Sequence, residues 1–124
     1  MASTPTFPFR YGVFRPLLSV VGMGPAFSRV DVDGDTLRVR MGWWFRADVP
    51  VASIKDPRPH KGMVGGIGVH GGRGWWLVNG AARGIVTMDI EPPARARVMG
   101  VSVKLRKLEV SVKSPDELIA ALDR

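Results

Sequence analysis

Three glycines, Gly66, Gly68 and Gly71, have the G-x-G-x-x-G spacing that holds pyrophosphate in dinucleotide-binding proteins. That chemistry requires a strand before the glycines and a helix that begins at the third one, because the phosphate lies at the positively polarised helix N-terminus. Two further glycines and the turn signal Asn79-Gly80 follow Gly71, and these residues disfavour a helix. The sequence therefore predicts that the spacing is accidental and that no nucleotide cofactor binds.

A glycine-rich segment can also bind an anion through consecutive backbone N–H groups. Lys61, His70 and Arg73 lie in or beside this segment and could assist. The alternative is structural, because glycines allow a twisted, bulged connection where side chains would clash with Trp43 or Trp75. The sequence favours the structural role.

Histidine chemistry is a second possibility, and His60 and His70 are the only histidines. A zinc site would need two further ligands, but the chain has no cysteine and neither H-x-x-x-H nor H-E-x-x-H spacing. His70 could act as a general base, yet no acidic partner or nucleophile lies beside it in sequence. We therefore expect no catalytic residue, no metal site and no cofactor.

Two tandem tryptophan pairs, Trp43-Trp44 and Trp75-Trp76, could contribute to a binding surface. Adjacent strand residues point to opposite faces, so each pair should send one indole into the core and the other outward. An outward indole beside arginine could stack on a base, a sugar or a peptide, or lie at a membrane interface. The alternative is that the aromatic N-terminal segment shields the indole. Trp44 and Trp76 are the candidate ligand-binding members.

Composition restricts the classes of protein and of partner. The 124 residues suffice for one domain, and 45% hydrophobic residues exclude a disordered chain. The formal net charge of +7 favours an anionic partner, although Lys and Arg are spread along strand-like segments and are densest from 95 to 113. The lack of cysteine fits a reducing compartment, so we expect a cytoplasmic protein. The longest apolar stretch, residues 16–25, is too short to span a bilayer.

The elements that must position these residues are mostly short strands. Residues 6–13 place Phe7, Phe9, Tyr11 and Val13 on one parity and predict an extended segment, which Pro8 restricts to a sheet edge or an irregular strap. One or two helical turns should follow from Pro16. From residue 28, alternating apolar residues around Asp33-Gly34 predict a hairpin whose inward parity continues through Trp43, with a second turn at 41–44 and a strand that stops at Pro50. The prolines of residues 56–60 predict a loop.

The second half of the chain gives three further predictions. Residues 75–78 and 85–90 predict a second hairpin, which Glu91-Pro92-Pro93 ends. The valine-rich stretch 98–112 changes its inward parity at Arg106-Lys107, which predicts a bulge or tight turn. Ser114-Pro115-Asp116-Glu117 is typical of a helix N-terminus with a capping box, and the apolar stripe that follows consists of Leu118, Ile119 and Leu122.

Three segments together resemble the bacterial pleckstrin-homology-like families. They are the hairpin at 28–41, the segment 45–54, which is similar to an I-P-x-x-x-I strand exit, and the ending at 108–119. The chain looks like an actinobacterial member of that group. The resemblance implies a mainly β (β+α) fold with about seven antiparallel strands in a curved sheet or barrel and one C-terminal amphipathic helix. Residues 1–27 fall outside the common pattern, so we predict an aromatic strap with a short helical turn at 1–27 and a pleckstrin-homology-like domain at 28–124.

These observations predict a non-enzymatic binding or scaffolding module for an anionic headgroup or a protein segment, either cytoplasmic or peripheral at the inner membrane face. A small basic barrel that binds nucleic acid is the first alternative, and a small enzyme that uses His70 is the second. The candidate ligand-binding residues are Arg46, Lys61, His70, Arg73, Trp44 and Trp76.

Overall fold

The computed structural model describes residues 6–9, 28–60, 68–79 and 84–123, which form one nine-stranded sheet and a C-terminal helix. This architecture confirms the predicted mainly β fold with one C-terminal helix, and the sheet is not closed. The strands are β1 (Thr6–Phe7), β2 (Ser28–Asp33), β3 (Thr36–Met41), β4 (Phe45–Pro50), β5 (Ile54–Pro59), β6 (Gly68–Gly72), β7 (Trp75–Asn79), β8 (Ile85–Val98) and β9 (Val101–Ser111), and the helix is α1 (Pro115–Leu122).

The first hairpin and the turn after it are confirmed. β2 pairs antiparallel with β3, and the turn between them contains Gly34, whose φ is +60°. β3 pairs antiparallel with β4, and the turn between them is closed by a hydrogen bond from Trp44 N to Met41 O of 3.1 Å. Along these strands the buried residues alternate with polar ones, so that one face lies on the core and the other faces solvent.

The long strand β8 organises the rest of the sheet. Both ends of β8, residues 85–89 and 94–98, pair antiparallel with β9, while its other edge is shared by β4 and β5. The predicted break at Glu91-Pro92-Pro93 is wrong, because residues 90–93 form a bulge within β8 that opposes only Arg106. The predicted loop at 56–60 is also wrong for residues 56–59, since they belong to β5. Among the described strands β5 pairs only with β8, so its prolines lie at a sheet edge, where a missing N–H is tolerated.

The predicted hairpin between residues 75–78 and 85–90 is wrong. β7 pairs antiparallel with β6 and parallel with β9, so that β9 lies between β7 and β8. The apolar pattern and the turn residues predict each of the two strands, but they do not predict the strand with which each one pairs.

The predicted change of parity at Arg106-Lys107 is confirmed, because Leu105 and Leu108 are both buried. The backbone N–H groups of Arg106 and Lys107 both donate to the carbonyl oxygen of Gly74, at 2.7 and 3.0 Å. Two successive donors on one acceptor place one extra residue in the strand, which returns the following apolar side chains to the core.

The helix α1 and the N-terminal strand pack on the same core. Leu118 and Leu122 are buried and Ile119 is partly buried against them, as predicted. Ser114 precedes Pro115 at the helix start, but its side chain makes no capping hydrogen bond. Phe7 and Phe9 are buried, and the predicted edge position of the first strand is confirmed by the pairing of β1 with β2. Tyr11, Val13 and the helical turns expected after residue 16 lie outside the described residues.

Candidate anion-binding site

Arginines from four adjacent strands lie directly opposite one another on the solvent-facing side of the sheet. Arg29 of β2 is the cross-strand partner of Arg40 of β3. Arg40 is in turn opposite Arg46 of β4, and Arg46 is opposite Arg97 of β8. We call these four residues the arginine ladder. Like charges directly opposite each other destabilise a sheet unless carboxylates or a bound anion offset the repulsion.

The local sequence places each of these arginines on the outer face. Arg40 lies between buried Val39 and Met41, and Arg46 lies between buried Phe45 and Ala47. Arg97 lies between Ala96 and Val98, which are also buried. Because side chains alternate between the two faces of a strand, burial of the apolar neighbours sends the guanidinium groups to solvent.

Two members of the ladder already have carboxylate partners. Arg40 donates to Asp48 Oδ1 at 2.8 Å and to the carbonyl oxygens of Val39 and Ala47 at 2.9 and 3.0 Å. Arg29 Nε lies 3.0 Å from Asp31 Oδ2, and the other oxygen of that carboxylate accepts a hydrogen bond from Thr6. These contacts hold the two guanidinium groups in fixed positions.

Arg46 and Arg97 have no hydrogen-bond or carboxylate partner among the described residues, and both are exposed. They line a shallow depression of about 430 Å³ between β4 and β8. Arg95 also lines it and donates to Ser102 Oγ at 3.3 Å. Asp48 is the one acidic side chain in the part of the lining that the structure describes. The depression therefore presents several guanidinium groups to a ligand.

Guanidinium groups arranged in this way are suited to a phosphate-bearing ligand. Arginine presents a planar fork of N–H donors that matches the oxygen spacing of phosphate and carboxylate groups. Neighbouring strands lie about 4.8 Å apart, so the ladder spans about 14 Å from β2 to β8. A ligand with more than one anionic group fits that length.

The glycine-rich segment has the predicted structural role where the structure describes it. Gly71 lies within β6, and a Cβ atom there would overlap the backbone oxygen of Trp75. Arg73 and Gly74 both have positive φ, 54° and 90°, which is the requirement of a type I′ hairpin turn. β6 therefore continues into a hairpin and not into a phosphate-binding helix, while Gly66 lies outside the described residues.

The tryptophan pairs differ from the prediction in the member that is exposed. Trp43 and Trp75 are 59% and 40% exposed, whereas Trp44 and Trp76 are partly buried. The inward parity fails at Trp43 because this residue lies in the turn after β3, where alternation between faces no longer applies. Trp43 stacks on Trp44 with ring centroids 4.8 Å apart. Trp76 packs on the core, where its ring is 6.5 Å from that of Phe45.

The other predicted site residues are distributed over separate places. Arg73 and Trp76 line a second depression, which Lys104 and Arg106 border, whereas Arg46 belongs to the arginine ladder. Lys61 lies outside the described residues, and for His70 the structure describes the backbone position within β6.

No described group of three or more His, Asp or Glu side chains could hold a metal ion. The contact of His60 with a carboxylate is a long one, from Nδ1 to Glu109 Oε1 at 3.9 Å. Thr87 Oγ1 donates to that same carboxylate oxygen at 3.2 Å. Within the described parts of the chain, no helix has the length and hydrophobicity needed to cross a bilayer.

Comparison of the chain with protein-family models, with curated proteins and with solved structures finds no match. The resemblance to the pleckstrin-homology-like families therefore stays a prediction. The assignment of a site rests on the geometry of the described residues.

Sequence reasoning did not single out three members of the ladder, Arg29, Arg40 and Arg97, as ligand-binding. The available signal was the alternation of arginine with buried residues at 38–40 and 95–97. That alternation predicts a basic outer face, but the lateral alignment depends on the register between strands that are distant in sequence.

Proposed function

We propose that this chain is a non-enzymatic binding module that recognises a phosphate-bearing headgroup through the arginine ladder. The observation that carries the proposal is the direct opposition of arginines on four adjacent strands. Two of these arginines, Arg46 and Arg97, have no carboxylate partner among the described residues. Repulsion between these side chains is relieved when an anion lies between them, because each guanidinium group then gains a charge-assisted hydrogen bond. The pleckstrin-homology-like architecture and a location at the inner membrane face belong to this proposal.

The linings of the ladder depression favour binding over catalysis. Among the described residues of the lining, the only acidic side chain, Asp48, is engaged by Arg40, and the only hydroxyl, that of Ser102, is engaged by Arg95. A general base needs a free acceptor within reach of its substrate, and this lining offers none. An enzyme that uses His70 remains a separate hypothesis.

Calorimetric titration with inositol hexakisphosphate, a soluble polyphosphate, tests the proposal. The double variant R46Q/R97Q should bind at least about tenfold more weakly than the wild type, because each lost charge-assisted hydrogen bond is worth about 1.5–3 kcal/mol before solvent screening. The control K55Q/K113Q removes the same formal charge from exposed positions outside the ladder and should change the affinity less than about twofold. Equal losses in the two variants, or no binding by the wild type, would refute a specific ladder site.

A single-stranded oligonucleotide titrated at several salt concentrations serves as the second arm. A nucleic-acid binder should bind the oligonucleotide more tightly than the polyphosphate and lose affinity steeply with salt. That result would replace the headgroup proposal by the nucleic-acid alternative. Weak oligonucleotide binding beside ladder-dependent polyphosphate binding supports the headgroup.

A further inference from the structure

Exposed apolar side chains are concentrated at one end of the sheet. Of the four large hydrophobic residues that are exposed in the described parts of the chain, three lie there: Trp43, Met99 and Val101, which are 59%, 51% and 64% exposed. Trp43 lies in the turn between β3 and β4, and the other two lie in and beside the turn between β8 and β9. We call these three residues the tip patch.

The two turns are joined into one surface. Met99 N donates to Trp44 O at 3.0 Å, and Phe45 pairs with Val98 in the strands that lead into the turns. Trp43 is further held by stacking on Trp44. The tip patch is therefore a continuation of two paired hairpins.

Folding alone does not favour methionine at position 99. It has a φ of 50° in a turn where Asn, Asp or Gly is usual, and its side chain extends into solvent. Methionine here is unfavourable both for the backbone conformation and for exposure to water, which indicates that its side chain contacts another molecule.

The tip patch and the arginine ladder are spaced as a bilayer surface requires. Arg46 follows Trp43 by three residues and Arg97 precedes Met99 by two, which corresponds to about 7–10 Å along the strands. Interfacial amphipathic helices bury their apolar face about 5–10 Å into the boundary between headgroups and acyl chains, and we take the same depth for the tip patch. With the tip patch at that depth, the ladder lies at the level of the lipid phosphates.

We propose that the tip patch inserts into the interface of a bilayer that contains anionic lipid, while the arginine ladder contacts the headgroups. The assignment of the ladder rests on the proposed function. Charge complementarity selects this occupant, because a second copy would bring another chain of net charge +7 to the ladder, whereas anionic lipid has the opposite sign. The aliphatic side chains of Met99 and Val101 cannot stack on bases, which favours hydrocarbon over nucleic acid.

The test uses vesicles of phosphatidylcholine with about 30% phosphatidylserine, and vesicles of phosphatidylcholine alone, each prepared with brominated acyl chains that quench tryptophan fluorescence. The wild type should bind the anionic vesicles and be quenched, and W43F should bind them with clearly less quenching, because it lacks the most exposed indole of the tip patch. M99N/V101T keeps the turn, because Asn tolerates the positive φ of Met99, and replaces two of the three apolar side chains of the tip patch by polar ones, so it should bind about tenfold more weakly or worse. Thermal unfolding checks that each variant is folded.

The outcomes separate this inference from the proposed function. The inference is overturned if the wild type is not quenched on anionic vesicles, or if M99N/V101T binds them as tightly as the wild type. In either case the proposed function survives if R46Q/R97Q still loses its binding of the soluble polyphosphate. Quenching on vesicles together with polyphosphate binding that does not depend on the ladder refutes the proposed function and supports insertion of the tip patch. Capture of the wild type by a protein partner through the tip patch, without any vesicle binding, also overturns the inference.

Discussion

Arg40 and Arg46 face each other across β3 and β4, yet the two side chains are held differently. Arg40 has a carboxylate and two carbonyl partners, whereas Arg46 has no partner among the described residues. A guanidinium group that already has partners within the protein contributes to a ligand site through its positive charge and its fixed position. A guanidinium group without such partners can bind a ligand without first breaking an ion pair. The residue type alone does not distinguish these two situations.

Gly71 gives a prediction for a single residue. We expect Gly71→Ala to lower the free energy of unfolding by about 2–4 kcal/mol, because the new Cβ would overlap the Trp75 oxygen and φ is +147°. Urea denaturation followed by tryptophan fluorescence measures the loss.

Gly72→Ala is the matched control, since φ is +158° there and nothing lies within 4 Å of the added Cβ. Its loss of stability should be clearly smaller. Equal losses at Gly71 and Gly72 would show that close contact with Trp75 does not explain the glycine.

The arginine ladder is a property of paired elements, since no single strand contains it. Its neighbour Arg38 lies on the same face of β3 but is opposite Asp31 and Asp48, and it forms an ion pair with Asp33 at 3.3 Å. Arg38 and Arg40, which are neighbours on one face of β3, therefore have opposite electrostatic effects on the stability of the sheet. The strand register decides which arginine is stabilising.

This contrast predicts opposite signs for two variants. Arg46→Gln should raise the free energy of unfolding by about 0.5 kcal/mol at low salt, because it removes two like-charge pairs, and Arg38→Gln should lower it by a similar amount. Added salt should reduce both differences, since the side chains are exposed and screened. Denaturation at low and high salt tests the prediction, and destabilisation by Arg46→Gln at low salt would contradict the account of the ladder as a functional arrangement.

At the scale of the whole molecule, the N-terminal segment joins regions that are far apart in sequence. β1 pairs with β2, Phe9 forms a bridge with Val112, and Lys113 N donates to Pro8 O at 3.0 Å. Phe7 and Phe9 enter the same hydrophobic core as α1. Residues 6–9 therefore complete the core of the domain, while the boundary predicted at residue 27 stays a prediction.

Phe9→Ala should lower the free energy of unfolding by about 3–5 kcal/mol, since this aromatic side chain is almost fully buried. Unfolding should remain a single transition, with coincident fluorescence and circular dichroism curves. Pro8→Ala, at an exposed position in the same segment, is the control and should have little effect. Separate transitions for the two probes would show that the N-terminal segment folds independently of the sheet.

The sequence by itself determined most strands, the first hairpin, the parity change at Arg106-Lys107 and the helix α1. These features depend on burial and turn chemistry within a few residues, which alternation and capping signals report directly. It also indicated a basic protein with Arg46 as a candidate ligand residue.

Only the tertiary structure decided which strands are neighbours. The insertion of β9 between β7 and β8, the edge position of β5 and the lateral alignment of the ladder all arise from pairing between segments that are distant in sequence. Such pairing depends on register and on the packing of the whole core, and a shift of one residue would move every arginine to the other face. For the same reason the tip patch emerges only when the turns of two separate hairpins lie side by side.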